Sequence, residues 1–489
     1  MSLTSSEEND ALVTNINQKF TLGDHEMQKV LAIALQDFKK GLKKSTHHEA
    51  CVRMLPSYVT ALPNGTEVGT FLALDLGGTN FRVLLVQIPA NTGENGKKEC
   101  QINSKIYRIP KNIMEGNATK LFDHIAECIH SFVQNMGLEE NAKTGDDIPV
   151  GFTFSFTCRQ DSLDSAVLLK WAKGFNCAGG EGQDVGKMLK DAIDRRQDLQ
   201  SLKIAAICND TVGTLMYCAF NNPDIRSNCK IGLIVGTGSN ACYVEKTDNI
   251  EVLAPEIRNK STHMVVNTEL GNFASDGVLD FIVTEFDKEV DRNTLNKGRH
   301  IFEKLIAGMY LGEIVRLIMC WLFKNGVLFL NQQVPKLCDP FSIDTSFLSM
   351  IEDCEIQPKN KRKVLDIETI KNIITMTLEI EASTEDCEII HQICQTVSSR
   401  SAKLCACVVS ALALKIAEIE PNQVVQGETL EITCGVDGSV YRKHPTFAKE
   451  LEKNTKKLLE AYNIRVRYSL SQDGSGIGAA LTVASKNSK

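Results

Sequence analysis

The chain has 489 residues, and its 54 Lys and Arg against 61 Asp and Glu give a formal net charge of −7. Hydrophobic residues make up 43% and charged residues 24%, which is typical of a globular protein and excludes a largely disordered chain. The acidic balance argues against nucleic acid as the main partner, because binding to a phosphate backbone needs a basic face. The length predicts two or three lobes.

The cysteines and the apolar stretches of the chain indicate the cellular compartment in which the protein is expected. The seventeen cysteines are scattered without a C-x-x-C pair, so we interpret them as reduced, mostly buried thiols. The polar, acidic N-terminus is typical of neither a signal nor a transit peptide. The apolar stretch GMYLGEIVRLIMCWLF contains Glu313 and Arg316 and is too short to span a membrane. We therefore expect a cytoplasmic protein without a transmembrane segment. The sequence does not resolve the oligomeric state, although a monomer is slightly favoured.

Hydrophobic periodicity predicts strands that alternate with helices, and hence an α/β fold. In chain order the predicted elements are a helix at 15–45, a strand–turn–strand unit at 71–88, a helix at 117–136, a strand at 149–154, a helix at 184–195, a strand at 203–210 with a helix after it, a second strand–turn–strand unit at 230–245, helices at 300–325 and 388–419, a strand with a Gly-rich turn at 429–447, a strand at 465–470 and a C-terminal helix. The two similar units predict two related lobes.

Glycine-rich turns join the strands of both units, and a third such turn, GVDGS, spans 435–439. Glycine lets backbone N–H groups point together at an anion. One such turn is also common in plain hairpins, but two matched turns and GVDGS favour a cradle for a polyphosphate. Neither a P-loop nor a Rossmann fingerprint is present. Asp75, just before the first turn, is either a Mg²⁺ ligand or a turn cap.

Polar residues also follow several apolar strands. Asp210 ends one strand and begins a helix, so it is either a helix N-cap or a base for a substrate hydroxyl. Asn209 precedes it, and Ser155, Asn240 and Glu269 follow other strands. Polar groups at strand ends are typical of α/β sites, and a sugar needs such groups because each hydroxyl both donates and accepts.

Many segments, in the same order, resemble the eukaryotic hexokinase/glucokinase family in its single-unit form. The resemblance extends from about residue 20 to residue 485. It is carried by RMLPSYVTALPNGTEVGTFLALDLGGTNFRVLLV, GFTFSFTCRQDSLD, CNDTVGTLM, IGLIVGTGSNACYVE, VVNTE, FEKLIAGMYLGEIVRL, DTSFLSMIEDC, SSRSAKL, GVDGSVYRKHP and DGSGIGAA. It implies the actin-like ATPase (ribonuclease H-like) fold, with two α/β lobes around a cleft. The small lobe would comprise 70–209 with 468–489, and the large lobe 210–467 with 1–69.

The resemblance also implies ATP-dependent phosphorylation of a hexose at its 6-hydroxyl, with glucose as the expected substrate and glycolysis as the setting. Asp210 would be the general base. The residues expected to bind the sugar are Ser155, Phe156, Lys173, Asn209, Asp210, Asn240, Glu269 and Glu303. Those expected around ATP are Asp75, Gly77, Gly78, Thr79, Asn80, Arg82, Gly236, Thr237, Thr345, Ser349, Gly438 and Ser439, with Asp75 holding Mg²⁺ directly or through water.

Two departures from the family pattern lie in the sugar-binding signature. Ala172 stands where the family usually has Thr, and a lost hydrogen bond of this kind costs about 0.5–1.5 kcal/mol, or about 2- to 12-fold in affinity. Thr157 replaces a usual Pro, which is expected to loosen the loop that presents Ser155. Further departures are Leu270, Asn272, Lys297, His300 and Ile477. The base and the charged ligands remain, so we expect an active kinase with weakened or altered sugar affinity.

Two other interpretations stay open at the level of sequence. One is a divergent hexokinase-like protein that binds sugar or ATP with weak or no catalysis. The other is an actin- or chaperone-type ATPase, against which the many hydroxyl-binding side chains argue. Cys158 and Cys208 flank the expected sugar site closely enough that their oxidation could silence it.

Overall fold

The structure is a computed structural model that describes residues 6–78, 80–93, 98–138, 147–356, 364–420 and 429–487. Its strands are β1 Leu55–Pro56, β2 Gly69–Leu76, β3 Asn80–Ile88, β4 Gln101–Arg108, β5 Ile148–Phe154, β6 Thr157–Ser162, β7 Ser165–Lys170, β8 Leu202–Cys208, β9 Cys229–Val235, β10 Ser239–Lys246, β11 His263–Asn267, β12 Glu355–Ile356, β13 Val364–Leu365, β14 Leu430–Asp437 and β15 Ile464–Leu470.

The helices complete the order of elements. They are α1 Ser6–Phe20, α2 Asp24–Leu42, α3 Lys111–Met114, α4 Ala118–Met136, α5 Val185–Asp194, α6 Asp210–Asn221, α7 Pro255–Arg258, α8 Glu285–Arg292, α9 Ile301–Ile306, α10 Gly308–Lys324, α11 Pro335–Cys338, α12 Thr345–Glu352, α13 Ile367–Leu378, α14 Thr384–Ile419, α15 Ser439–Lys443, α16 Phe447–Leu459 and α17 Gly474–Asn487. Within the described ranges, no helix is both long and apolar enough to cross a membrane.

Two large sheets repeat one topology. The first sheet has the order β4-β3-β2-β5-β8, antiparallel from β4 to β2 and parallel from β2 to β8. Five strands of the second sheet, β11-β10-β9-β14-β15, repeat this pattern, and β1 adds an antiparallel edge beside β11. In each sheet the first hairpin carries one of the Gly-rich turns seen in the sequence.

Two helices lie between the sheets. Helix α6 packs on β9 and β14 of the second sheet, whereas α17 packs on β2 and β5 of the first sheet and along α6. Glycine makes the close approach possible, because a Cβ on Gly478 would lie 2.1 Å from the carbonyl oxygen of Gly213. Helix α6 begins at Asp210, so this carboxylate is placed where the two sheets come together.

Three predicted elements differ from the observed ones. The helix predicted at 15–45 is two helices separated at 21–23, where Gly23 precedes the second. The helix predicted at 300–325 is α9 and α10, because Ala307 is extended at φ −85° and ψ 149°. The segment between the strand predicted at 149–154 and the helix predicted at 184–195, where a polar loop is expected from the sequence, contains the β6–β7 ribbon, which pairs from Thr157 with Lys170 to Ser162 with Ser165.

Candidate active site

The strand-to-helix junction at the end of β8 positions Asp210. Asn209 caps α6, and its Oδ1 accepts hydrogen bonds from the backbone N–H of Thr211 at 3.0 Å and from the Thr211 hydroxyl at 2.8 Å. The Thr211 N–H also donates to Asp210 Oδ1 at 2.9 Å. The other carboxylate oxygen, Oδ2, lies 3.9 Å from Lys173 Nζ, and the Asp210 side chain is 18% exposed. One oxygen of Asp210 is therefore held by the helix start, and the other faces a cation.

Lys173 ties this carboxylate to the end of β5. Its backbone is left-handed, with φ 55°, which is a strained conformation for a residue with a side chain. Its ammonium donates a 2.9 Å hydrogen bond to the carbonyl oxygen of Ser155. The Ser155 hydroxyl is buried and has no hydrogen-bond partner in the described part of the chain. A buried hydroxyl without a partner is costly, so Ser155 Oγ is a candidate contact for a polar ligand.

Phe156 lies next to Ser155 but turns into the hydrophobic core. Its ring packs against Phe154, Trp171 and Phe175 at centroid distances of 4.7, 5.1 and 5.2 Å. Only 3% of the residue is exposed. The Phe156 side chain therefore anchors the loop that carries Ser155, rather than facing the cleft.

A chain of side-chain hydrogen bonds crosses the ends of β10 and β11. Asn240 Nδ2 donates to Asn209 Oδ1 at 3.2 Å and to Asn267 Oδ1 at 2.8 Å. Asn267 Nδ2 in turn donates to Glu269 Oε1 at 2.8 Å. Glu269 has a left-handed φ of 56° and is 7% exposed. Burial raises the pKa of its carboxyl group, and hydrogen bonds from Thr157 and Asn267 oppose that rise.

Glu303, in α9, closes the same cluster from the side of the second turn. Its Oε2 accepts a 3.0 Å hydrogen bond from the backbone N–H of Ser239. A Cβ on Gly238 would lie 2.8 Å from this oxygen, so a side chain there would displace the Glu303 carboxylate. Burial raises the pKa of Glu303, and the nearby charge of Lys173 lowers it. We call this group of seven residues the polar cluster: Ser155, Lys173, Asn209, Asp210, Asn240, Glu269 and Glu303.

The turn between β2 and β3 carries the first set of residues expected at a nucleotide. Gly77 and Gly78 are half-buried, and a Cβ on Gly78 would meet no atom of the described residues within 4 Å. Asn80 is exposed at the start of β3. Thr79 lies outside the described residues.

Asp75 and Arg82, on either side of this turn, are linked to the start of α17. Asp75 Oδ2 accepts a 3.0 Å hydrogen bond from the Ser475 hydroxyl and lies 3.4 Å from Arg82 Nη2. Arg82 Nη1 donates to Asp473 Oδ1 at 2.8 Å. Burial raises the pKa of Asp75, Arg82 opposes that rise, and the charge of Asp210 adds to it. The first turn and the polar cluster are therefore in electrostatic contact.

The second turn is packed against two other backbone segments. Gly308 N–H donates to the carbonyl oxygen of Gly236 at 2.8 Å, and Met309 N–H donates to that of Thr237 at 3.1 Å. This pairing explains why the helix restarts at Gly308. Gly438, with φ 115°, is so close that a Cβ on it would lie 2.2 Å from the carbonyl oxygen of Val235. We call the glycine-rich backbone at 77–78, 236–238 and 438 the turn cluster.

The other residues expected at the nucleotide take part in local structure. Thr345 Oγ1 donates to the carbonyl oxygen of Gly308 at 2.6 Å, so it braces the start of α10. The Ser349 hydroxyl donates to the carbonyl oxygen of Thr345 at 3.4 Å within α12. Ser439 is the first residue of α15 and directly follows Gly438.

Three residues of this region were not singled out from the sequence. Asn267 bridges Asn240 to Glu269, and the signal for it was a polar residue that closes the apolar run MVV. Asp473 and Ser475 hold Arg82 and Asp75 from almost four hundred residues away in the chain. No local pattern reports a contact at such a separation.

Duplicated sheet topology, two helices between the sheets and a glycine turn on each first hairpin define an α/β protein of the actin-like ATPase class. Sequence comparison agrees with this class and identifies one family within it. Models described as hexokinase match residues 12–220 and 230–485. The chain belongs to the hexokinase family.

Individual relatives support this assignment. Hexokinase-2 from Homo sapiens is 43% identical over 463 residues, which is 95% of this chain and 47% of that protein. Hexokinase-1 from Mus musculus is 42% identical over 466 residues, which is 95% of this chain and 44% of that protein. The chain thus spans about half the length of the curated relatives it matches. A solved hexokinase from Schistosoma mansoni complexed with glucose has 36% identity and a TM-score of 0.85, covering 99% of this chain and 100% of that one.

Proposed function

We propose that this chain transfers the γ-phosphoryl group of ATP to the 6-hydroxyl of a hexose, with glucose as the expected substrate, in the first step of glycolysis. The observation that carries the proposal is the polar cluster at the junction of the sheets. There, Asp210 Oδ2 faces Lys173 at 3.9 Å beside hydroxyl-binding amides and carboxylates. Membership of the hexokinase family supports it independently.

Asp210 takes the role of general base in this proposal. As the sugar oxygen forms its bond to the γ-phosphorus, the hydroxyl proton passes to Asp210, and the bond from the γ-phosphorus to the bridging oxygen breaks to release ADP. The Lys173 ammonium, 3.9 Å from Asp210 Oδ2, places a cationic side chain beside the carboxylate at short range. Ser155, Asn209, Asn240, Glu269 and Glu303 would bind the other sugar hydroxyls.

The turn cluster would hold the triphosphate through its backbone, with Asp75, Thr79, Asn80 and Arg82 around the first turn. The family generally uses ATP and depends on Mg²⁺. A nucleotide-bound Mg²⁺ takes one or two carboxylates and completes its shell with phosphate oxygens and water. Asp75 fits this pattern as a single carboxylate in β2, just before the first turn. When bound, the ion would neutralise charge on the phosphates.

The same proposal takes residues 70–209 with 468–489 as a small lobe, and 210–467 with 1–69 as a large lobe, which close over the sugar and exclude water. The position of α6 and α17 between the sheets supports hinges near 209 and 468. We further propose that the chain acts as a cytoplasmic monomer. The seventeen cysteines are all unpaired, which is typical of a reducing compartment.

The direct test is a coupled assay of ATP-dependent phosphorylation with glucose, mannose and fructose, together with calorimetric titration of glucose. We expect turnover with glucose, and the Asp210→Ala variant should lose it while keeping most of its glucose affinity. Removal of a general base typically costs about 10²- to 10⁴-fold. A wild-type chain that binds ATP but phosphorylates none of the three sugars would contradict the proposal.

A further inference from the structure

Thr157 makes a contact that joins the two sides of the cleft. It begins β6, directly after the loop that follows the first sheet, and its hydroxyl donates a 2.7 Å hydrogen bond to Glu269 Oε2. Glu269 follows β11 of the second sheet, 112 residues further along the chain. The bond therefore connects the side of the cleft that carries Ser155 to the side that carries Asn240.

Glu269 is satisfied from two directions. Asn267 Nδ2 donates to Oε1 at 2.8 Å from the same side of the cleft, and Thr157 donates to Oε2 from the opposite side. A carboxylate that is 7% exposed is costly to ionise without donors. Among the influences that oppose the rise in its pKa, the Thr157 hydrogen bond is the largest, ahead of Asn267 and the charge of His300. The charge of Asp210 acts in the opposite sense.

The donor is itself held in place. The preceding residue, Phe156, is fixed in the aromatic core with Trp171, and Thr157 pairs with Lys170 in the β6–β7 ribbon. Because its backbone is fixed on both sides, little additional ordering is needed for the Thr157 hydroxyl to reach Glu269. A binding group that is held by such contacts is preorganised for its ligand.

We propose that Thr157 is a positioning residue that holds the Glu269 carboxylate charged and oriented across the cleft. The inference deepens the proposed function and rests on it, since it takes Glu269 as a sugar ligand. A proline at this position has no hydroxyl and cannot make the contact. Thr157 is expected to loosen the loop, but its hydrogen bond to Glu269 opposes that effect. The site lacks a hydroxyl at Ala172 and gains one at Thr157.

The test compares glucose dissociation constants, measured by calorimetry without ATP, for the full-length wild type, Thr157→Val and Thr157→Ser. Valine keeps the shape and removes the donor, so we expect about a tenfold weaker affinity at neutral pH. Glucose affinity is expected to fall at low pH as Glu269 becomes protonated. In Thr157→Val this fall should occur at a higher pH, because Glu269 loses the donor that favours its ionised form. Serine should restore both properties. In the kinetic assay, KM should rise more than kcat falls.

A matched control is available elsewhere in the chain. The Thr369 hydroxyl donates to Asp366 Oδ2, also at 2.7 Å, at the exposed start of α13. Thr369→Val should leave glucose affinity and its pH profile unchanged. Melting temperatures would identify any variant that fails to fold, and Thr157→Ala then replaces the valine variant.

The outcomes separate this inference from the proposed function. If the wild type binds no hexose, the proposed function fails. If the wild type binds glucose, and Thr157→Val binds it equally well or more tightly with an unchanged pH profile, the positioning role is overturned. Tighter binding would mean that Thr157 competes with the sugar for Glu269 instead of preparing it.

Discussion

The polar cluster and the turn cluster keep their shape through different kinds of contact. In the polar cluster, side chains hold one another: Asn240 donates to Asn209, and Asn267, just outside the cluster, links Asn240 to Glu269. In the turn cluster, backbone meets backbone, as in the hydrogen bond from Gly308 N–H to the Gly236 carbonyl oxygen. Side-chain networks distinguish one arrangement of hydroxyls from another, whereas backbone N–H groups recognise charge and shape.

This difference has a consequence for substitution. A side-chain network tolerates an isosteric replacement structurally but loses recognition, because the fold around it does not change. A backbone cradle tolerates no added atom where main chains are in contact. The two clusters should therefore respond separately, one through sugar binding and the other through nucleotide binding.

The largest expected effect is that of Gly438→Ala in the turn cluster. The new methyl carbon would lie 2.2 Å from the Val235 carbonyl oxygen, at a φ of 115° that a residue with a side chain rarely adopts. The turn must shift, and a displacement of about 1 Å at a site of transfer costs on the order of 100-fold. We expect kcat/KM for ATP to fall by on the order of 100-fold, with the glucose dissociation constant unchanged.

Gly137→Ala is the matched control for this variant. Gly137 also has a positive φ, of 66°, but a Cβ there would meet no atom of the described residues within 4 Å. It should cost a little stability through its backbone conformation and leave ATP kinetics intact. Equal losses of glucose and ATP affinity in Gly438→Ala would show that the two clusters are not separable.

The next largest effect is expected for Glu269→Gln in the polar cluster. Loss of a charged acceptor should weaken glucose binding by roughly 10- to 100-fold. Stability should change in the opposite direction. Burial raises the pKa of Glu269 in the folded protein, so the ionised carboxylate opposes folding at neutral pH. The protonated carboxyl group carries no such cost, and the folded protein therefore loses stability as the pH rises through the raised pKa.

Melting curves at several pH values check this second part. At neutral pH, Glu269→Gln should melt at a higher temperature than the wild type, and the difference should shrink as pH falls and the wild-type carboxyl becomes protonated. A variant that melts lower at neutral pH would show that hydrogen bonds from Thr157 and Asn267 outweigh the cost of burial.

A smaller gain is expected from Ala172→Thr. Ala172 is half-buried beside the aromatic core, one residue before Lys173. A hydroxyl there would restore the hydrogen bond expected from the family pattern and lower KM for glucose by about 2- to 12-fold. Ala172→Val adds similar bulk without a donor and should not lower KM. An equal effect of both variants would assign the change to packing.

Strand ends were predictable from the sequence because a buried strand stops where polar residues begin. Asn209 and Asp210 directly follow β8, as that logic predicts, whereas Asn240 lies beyond the second turn as the second residue of β10. The restart at Gly308 was not predictable, since Ala307 favours helix and only its pairing with the second turn overrides that preference. The β6 strand was missed because TCRQDS lacks apolar alternation.

Long-range contacts set the same limit on the site. The expected residues of the polar cluster come together, but no local pattern in the sequence indicates the donors that hold the carboxylates of Glu269, in that cluster, and of Asp75, beside the first turn. Thr157 reaches Glu269, and Ser475 reaches Asp75, only after the sheets have assembled. Phe156 shows a different limit. Its position in the sequence motif predicts a contact with the sugar, but the motif does not indicate that its ring packs against Trp171 in the core.

Thiol modification is expected to have the smallest effect on activity. The sequence suggests that oxidation of Cys158 or Cys208 inactivates the sugar site, and the structure argues against this. Cys208 is 2% exposed, and burial raises its pKa to about 12. Burial also raises the pKa of Cys158 well above its usual value, and the charge of Glu269 adds to that rise. Both thiols therefore stay protonated near neutral pH, and the thiolate is the reactive form.

Alkylation of the native protein with iodoacetamide should therefore leave phosphoryl transfer unchanged. Label should appear first at Cys338, the exposed cysteine, and the Cys338→Ser variant should remove that early signal. Mass spectrometry of peptides that contain Cys158 and Cys208, sampled alongside activity, checks the assignment. A thiol whose pKa is raised by burial reacts only after water reaches it. Loss of turnover in parallel with modification of either thiol would therefore mean that the cleft opens widely enough to hydrate that thiol.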